Sequence, residues 1–218
     1  DAFEAAYADG AAALLIGLSS GLTGSLDTAL MARSDVLAEH PDAEIYCLDS
    51  LGASAGEGQL VLEATRLAAS GMPAADLARW VEENRLRVNH IFTVASFEHL
   101  VKGGRVSPAV AMVGSMLDIK PVMRMDAVGH LVPVKRPRGR RRAIEMMVDL
   151  VADLIVDQAG QRVLVSHGDC AADAEYLIGL LRERAGVTDV AVTRVGVIIG
   201  THTGGGVLCA YFWGKQRD

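Results

Sequence analysis

Aromatic side chains are scarce, with Phe, Trp and Tyr at 5% of 218 residues. A surface that stacks nucleic-acid bases is therefore a poor fit, the more so because 21 basic residues meet 27 acidic ones and the net charge is -6. Cysteine is scarcer still. The 3 cysteines, Cys47, Cys170 and Cys209, fall outside metal-ligand spacing and are odd in number, which argues against a disulfide framework and for a reducing, cytoplasmic location. Long apolar runs are missing too: Ala11 to Leu18 spans eight residues, against the roughly 18 to 20 needed to cross a bilayer. The first residues carry no basic-then-apolar leader, so a protein without a transmembrane segment is expected. No Walker lysine, Gly-x-Gly-x-x-Gly, HExxH pair or internal repeat occurs, which leaves nucleotide and metal sites unsupported. What is plentiful is aliphatic. Half of the chain is hydrophobic, which suits a folded protein with either a tight core or a greasy cavity.

The pattern along the chain reads as α/β. A short apolar run over 11–18 ends at a turn cluster and predicts a first strand. A helix follows with Ser25 as N-cap and continues to Pro41. Glu44 to Leu48 predicts a second strand, and helical stretches over 59–69 and 73–88 come after a glycine-bearing loop. Strand, helix, strand, helix is the order of parallel βαβ units. From Ile91 the rhythm changes: a Lys-Gly-Gly-Arg turn at 102–105, an apolar helix over 108–117, and a hairpin of 119–125 with 130–135 around Gly129. Ile144, Met147, Val148, Val151 and Leu154 follow the 3.6-residue period of an amphipathic helix. Strand 162–166, helix 171–184 and strands 190–195 and 207–213 complete the chain. Two domains are expected, residues 1–89 as a parallel, doubly wound α/β unit and 90–218 as a mixed α+β unit.

Two segments carry candidate chemistry at polar turns. Gly17-Leu18-Ser19-Ser20-Gly21 matches the nucleophile elbow of a serine hydrolase, with Asp169 and His202 downstream as acid and base. Only one strand precedes it, whereas such enzymes need several before the elbow. The same turn reads equally as a serine-rich turn that satisfies its own backbone. A third reading is an anion site, because the turn sits after a parallel strand and before a helix, where unpaired N–H groups face outward. Ser19, Ser20, Thr23 and Ser25 crowd that spot with hydroxyls. The second segment, Gly200 to Gly206, places His202 in a glycine-rich loop. That histidine is either simply solvated or, if the loop folds over the serine turn, a donor to the same anion.

Two further segments stand out by composition. Six of the eight residues from Lys135 to Arg142 are basic, a local patch on an acidic chain. It is either a solvated face or a docking surface for an acidic or phosphate-bearing partner. Arg140 to Arg142 also open a helix, where positive charge opposes the macrodipole and calls for negative partners. The helix expected over 108–117 is apolar all round, which fits a core helix or the lining of a lipid tunnel.

In order, these motifs resemble the DegV family of bacterial fatty-acid-binding proteins. The resembling segments are Ser19-Ser20-Gly21-Leu22-Thr23-Gly24-Ser25, Asp49-Ser50, Lys102-Gly103-Gly104-Arg105-Val106, Ile119-Lys120-Pro121, the basic run Arg136 to Arg142, and Gly200 to Gly206. The resemblance implies two α/β domains with a long-chain fatty acid buried between them. Ser19, Ser20 and His202 would then hold the carboxylate. It further implies a carrier without catalysis of its own, needing no cofactor, that presents the acyl group to a separate fatty acid kinase. Arg136 and Arg138 are the residues expected to dock that kinase or to steady the acyl phosphate. Two departures stand against the family pattern: Gly204-Gly205-Gly206 replaces Gly-Pro-Gly, and the family's opening strand and a Thr-Ser segment are expected ahead of residue 1, leaving the first domain partial.

Overall fold

The computed structural model describes residues 1–112 and 118–218. The chain opens with a helix, α1 (Ala2–Ala8), followed by β1 (Ala13–Gly17), α2 (Ser25–Glu39) and β2 (Ile45–Asp49). Strands β1 and β2 pair in parallel from Ala13↔Ile45 to Gly17↔Asp49, with α2 as the crossover. Next come α3 (Ser54–Ala69), α4 (Ala74–Asn84) and a 3-10 turn, Arg85–Arg87. Period-two alternation assigns the faces of this small sheet. Leu14, Ile16, Tyr46 and Leu48 pack with Leu60, Leu77 and Val81 of α3 and α4. On the other face, Arg33 of α2 donates to the Ile45 carbonyl at 2.7 Å. Helices thus cover both sides, as parallel strands require.

The larger sheet has the order β5-β4-β3-β8-β6-β7. Its strands are β3 (Val88–Thr93), β4 (Val122–Met125), β5 (Leu131–Lys135), β6 (Arg162–His167), β7 (Asp189–Arg194) and β8 (Leu208–Trp213). Between them lie α5 (Glu98–Lys102), α6 (Pro108–Met112), α7 (Arg140–Leu154), α8 (Ala171–Arg184) and α9 (Val197–Thr203). Only β6 and β7, joined through α8, run in parallel; the other pairs of this sheet are antiparallel. Central strand β8 shows why one sheet can carry two cores. Leu208, Ala210 and Phe212 point to a core under α7 and α8, while Cys209 and Tyr211 point to the opposite face. Phe212 and Ile91 are among the largest fully buried side chains, and truncating either to alanine costs about 2 to 5 kcal/mol. Among the described residues, no helix is long and apolar enough to cross a membrane.

The sequence reading needs local correction. Gly24, not Ser25, is the N-cap of α2; Ser25 is its first residue, and the Thr23 hydroxyl accepts the Ser25 N–H at 3.3 Å. The helix expected over 73–88 stops at Asn84, because Val88 is drawn into the centre of the large sheet opposite Trp213. The division expected near Asn89 therefore falls at the start of β3. Of the apolar helix expected over 108–117, α6 covers Pro108–Met112, and residues 113–117 lie outside the described residues.

Candidate functional site

A cavity of ≈ 130 Å³ lies between the two sheets. Its walls come from both: Leu18, Leu22 and Thr23 of the serine turn, Ala53 and Ser54 at the start of α3, His90 and Phe92 of β3, and Cys209 and Tyr211 of β8. Leu100, Arg105, Met125 and Leu131 close one side, and Ile198, Ile199, His202 and Thr203 of α9 close another. The lining is mostly aliphatic and aromatic, so the few polar groups decide what it can hold.

One polar corner is tied together by backbone contacts. Arg105 leaves the Lys-Gly-Gly-Arg turn and returns to the serine turn, where its Nε donates to the Leu22 carbonyl at 3.2 Å; Nη1 donates to Gly103. A guanidinium has five N–H donors, so this one retains capacity toward the cavity. His202 lies against the same turn: a Cβ placed on Gly103 would sit 2.4 Å from its Nδ1, which is why the imidazole needs glycine there. That Nδ1 is buried and has no hydrogen-bond partner among the described residues. A buried polar atom left unpaired costs about 1 to 3 kcal/mol, and a cation, a hydroxyl at Thr23 and an unsatisfied imidazole together fit a carboxylate. Contrary to the expected loop, His202 sits on α9, a short helix that packs on α5 and ends at Gly204 with φ +74°.

The opposite polar cluster is already satisfied. His90 is buried, its Nε2 accepts the Ala53 N–H at 3.1 Å, and Nδ1 bonds the Val88 carbonyl at 3.2 Å, which assigns the neutral tautomer. Burial, helped by the nearby Arg217 charge, pushes its pKa down to about 3. Its ring meets Tyr211 edge-on at 5.3 Å, and the Tyr211 hydroxyl pairs with Ser166 at 3.1 Å. This cluster bounds the cavity with paired polar atoms and holds no free charge.

The two serines behave differently from each other. Ser19 is fully buried. Its hydroxyl donates to the Gly129 carbonyl at 2.8 Å and accepts the Gly21 N–H at 3.2 Å, while its own N–H donates to Gly52 at 2.9 Å. Every one of these partners is backbone, so the hydroxyl is committed to joining the serine turn to the β4–β5 turn. No histidine hydrogen-bonds Ser19 among the described residues, and Asp169 lines a separate pocket with His167 and Arg194; the hydrolase arrangement is not assembled. Ser20 is exposed, with its N–H shared between both Asp49 carboxylate oxygens at 3.3 Å.

The basic run divides in the same way. Arg140 pairs with Asp173 at 2.8 Å and donates to Gly206, Arg141 lies 5.0 Å over the Tyr176 ring, and Arg142 pairs with Glu145 at 2.9 Å. These contacts supply the compensation that positive charge at the start of α7 demands. Arg136 and Arg138 are exposed and make no ion pair among the described residues. Sequence reasoning missed Arg105 as a cavity residue, and it counted Thr23 among the hydroxyls of the anion turn without selecting it as a carboxylate ligand. Both stood in recognised motifs, but only the tertiary fold turns the arginine back onto Leu22.

The fold and site define a class of protein: two α/β units enclosing an apolar cavity with one cationic, hydroxyl-bearing corner. A family model described as "Uncharacterised protein, DegV family" matches residues 1–215, and the chain belongs to the DegV family. A DegV domain-containing protein of Clostridium perfringens is 35% identical over 218 residues, which are 100% of this chain and 75% of the relative. A solved Thermotoga maritima protein, described as revealing fatty acid binding function, superposes with TM-score 0.81 at 26% identity over 96% of this chain and 72% of its own. The fatty acid kinase (Fak) B3 protein of Streptococcus pneumoniae, loaded with linoleic acid, has TM-score 0.83 at 22% identity, covering 94% of this chain and 71% of that one. At that identity the likeness speaks for the fold, which is the family's two-domain α/β fold.

Proposed function

We propose that this protein binds a long-chain fatty acid between the units 1–89 and 90–218, with its carboxylate at the corner of Thr23, Arg105 and His202. The observation that carries the reading is the buried His202 Nδ1, without a hydrogen-bond partner among the described residues, in a largely apolar cavity that Arg105 also lines. Ser20 stands at the exposed rim of the same turn, and Ser19 holds that turn in place, a role different from the direct ligand expected of it. A chain of about 16 carbons buries roughly fourteen methylenes at about 0.8 kcal/mol each, on the order of 10 kcal/mol before ordering costs. The tail therefore supplies affinity and the polar corner supplies orientation. At ≈ 130 Å³ the cavity is smaller than the roughly 300 to 1,000 Å³ of ligand pockets, so a long acyl chain requires the walls to part.

The finer reading is that the cytoplasmic carrier presents the carboxylate to a partner fatty acid kinase, with Arg136 and Arg138 on the docking face. The likeness to the Fak B3 fold and the lack of ion pairs at these two arginines support it. Native mass spectrometry of the purified protein, combined with thermal melts in oleate, tests the binding. A co-purified C16 to C18 acid and a raised melting temperature are expected; the absence of both a bound acid and any stabilisation would falsify the carrier reading.

A further inference from the structure

Arg217 is a buried arginine outside the cavity lining, 5% exposed and without a carboxylate in ion-pair contact among the described residues. Its guanidinium reaches three backbone carbonyls instead. Nη1 donates to Asp126 at 2.9 Å, and Nη2 donates to Leu51 at 2.9 Å and Arg85 at 3.3 Å. Burying a cation on neutral acceptors is costly, so the arrangement asks for a purpose.

The three carbonyls lie on the segments that hold Ser19. Leu51 precedes Gly52, whose carbonyl accepts the Ser19 N–H, and the Leu51 N–H donates to the same Asp49 carboxylate that receives Ser20. Asp126 opens the β4–β5 turn, and its carbonyl also accepts the Gly129 N–H at 3.3 Å. Gly129 in turn accepts the Ser19 hydroxyl. Arg85 completes the frame, because its own guanidinium donates to the Asp49 carbonyl at 2.9 Å. Around Arg217 the strand-like tail is fastened at several points: Gly214 and Arg217 donate their N–H groups to Arg87 and Leu86, and Ala127 donates to Asp218.

We propose that Arg217 is a positioning residue: its guanidinium fork fixes the Leu51 and Asp126 segments on either side of Ser19, and so sets the geometry of the serine turn at the mouth of the fatty-acid cavity. The last clause rests on the fatty-acid reading; the positioning does not. Lysine cannot replace the fork, because one ammonium on a flexible stem does not span three fixed carbonyls.

The test uses R217K and R217Q, followed by hydrogen exchange along the chain and by oleate titration. Both variants are expected to keep native protection in β6, α8 and β7. Exchange in residues 19–23, 51–53 and 126–130 is expected to rise about tenfold or more, and oleate affinity to fall about tenfold, with lysine giving little rescue. Native exchange in those three segments, or loosening spread evenly through β6 and β7, overturns the positioning role. Local loosening with unchanged oleate affinity overturns the link to the cavity. If the unaltered protein binds no oleate while local loosening still occurs, the positioning role stands and the fatty-acid reading falls. Should neither variant fold, exchange of the unaltered chain in low urea decides: residues 214–218 and the serine turn opening as one unit supports the proposal, and separate opening overturns it.

Discussion

On the serine-turn side of the cavity, Ser19 is 0% exposed and each of its polar atoms has a backbone partner, as do both ring nitrogens of His90. On the α9 side, Val197 and Ile198 are 86% and 74% exposed, and His202 keeps a buried nitrogen with none among the described residues. The first wall is held by contacts of long sequence separation, Ser19 to Gly129 and His90 to Ala53, and moving one atom disturbs several others. The second is a short helix end with little of its apolar surface covered. Stability is concentrated in the first wall, and the unmet polar demand is in the second.

The comparison can be broken most forcefully through pH. His90 is neutral in the fold with a pKa near 3, against 6.5 for the free side chain. Below about pH 6.5 the unfolded chain takes up a proton that the folded chain refuses, so stability falls as pH drops, by up to about 1.4 kcal/mol per unit, until about pH 3. Glu57 works the other way. Burial holds its pKa up at about 7, so its contribution is lost as pH rises from about 4.5 toward 7. Between pH 7 and 4 the two contributions nearly cancel, at about 3 kcal/mol each, so H90Q should turn a nearly flat profile of urea midpoints into a gain of about 3 kcal/mol as pH drops. An unchanged slope in H90Q would contradict the assignment of a neutral, satisfied His90.

Glycine substitutions sharpen the contrast at a smaller scale. Gly129 has φ +79°, and a Cβ there would lie within contact of the Ser19 hydroxyl, so G129A should cost about 2 to 4 kcal/mol in denaturant unfolding through strain and a lost hydrogen bond. Gly103 has φ -78°, which alanine accepts, and its added methyl meets the His202 ring. G103A should keep most of its stability yet weaken oleate binding about tenfold or more, and H202A should do the same, since a hydrogen bond to a charged group is worth about 1.5 to 3 kcal/mol. Equal loss of stability in G129A and G103A, measured side by side, would erase the distinction between the walls. The smallest effect on the fold is expected at Arg136 and Arg138. Alanine at both should leave the melting temperature and oleate affinity within about 0.5 kcal/mol of the parent, while transfer of phosphate to bound acid by a partner kinase slows.

Much of this was legible in the residues. The apolar run of β8, the stripe of α7 and the turn at Gly129 follow from side-chain pattern, because a buried strand reads as a short apolar run and burial on one face of a helix leaves a repeat that a linear reading detects; β3, buried on both faces and read in part as helix, was not legible in this way. The demand for negative partners at Arg140 to Arg142 was legible as well, since a helix start is electropositive wherever it sits; which groups answer it, Asp173, Tyr176 and Glu145, was not. His202 was legible as a candidate but not as helical, because α9 is too short to leave a periodic signal and is held by α5. The different settings of Ser19 and Ser20 were illegible for a similar reason. Adjacent serines look alike in sequence, yet one faces Gly129 across the interior and the other faces solvent.

By itself the sequence determined the alternation of strands and helices, the aliphatic surplus and the polar turns at 19–24 and 102–105, because local periodicity and turn chemistry act over a few residues. Only the tertiary structure decided which of the polar groups would be spent on the backbone and which left unpaired. That choice depends on contacts between residues as far apart as Ser19 and Gly129 or Leu51 and Arg217, and such distances exist only once the two sheets have closed on each other.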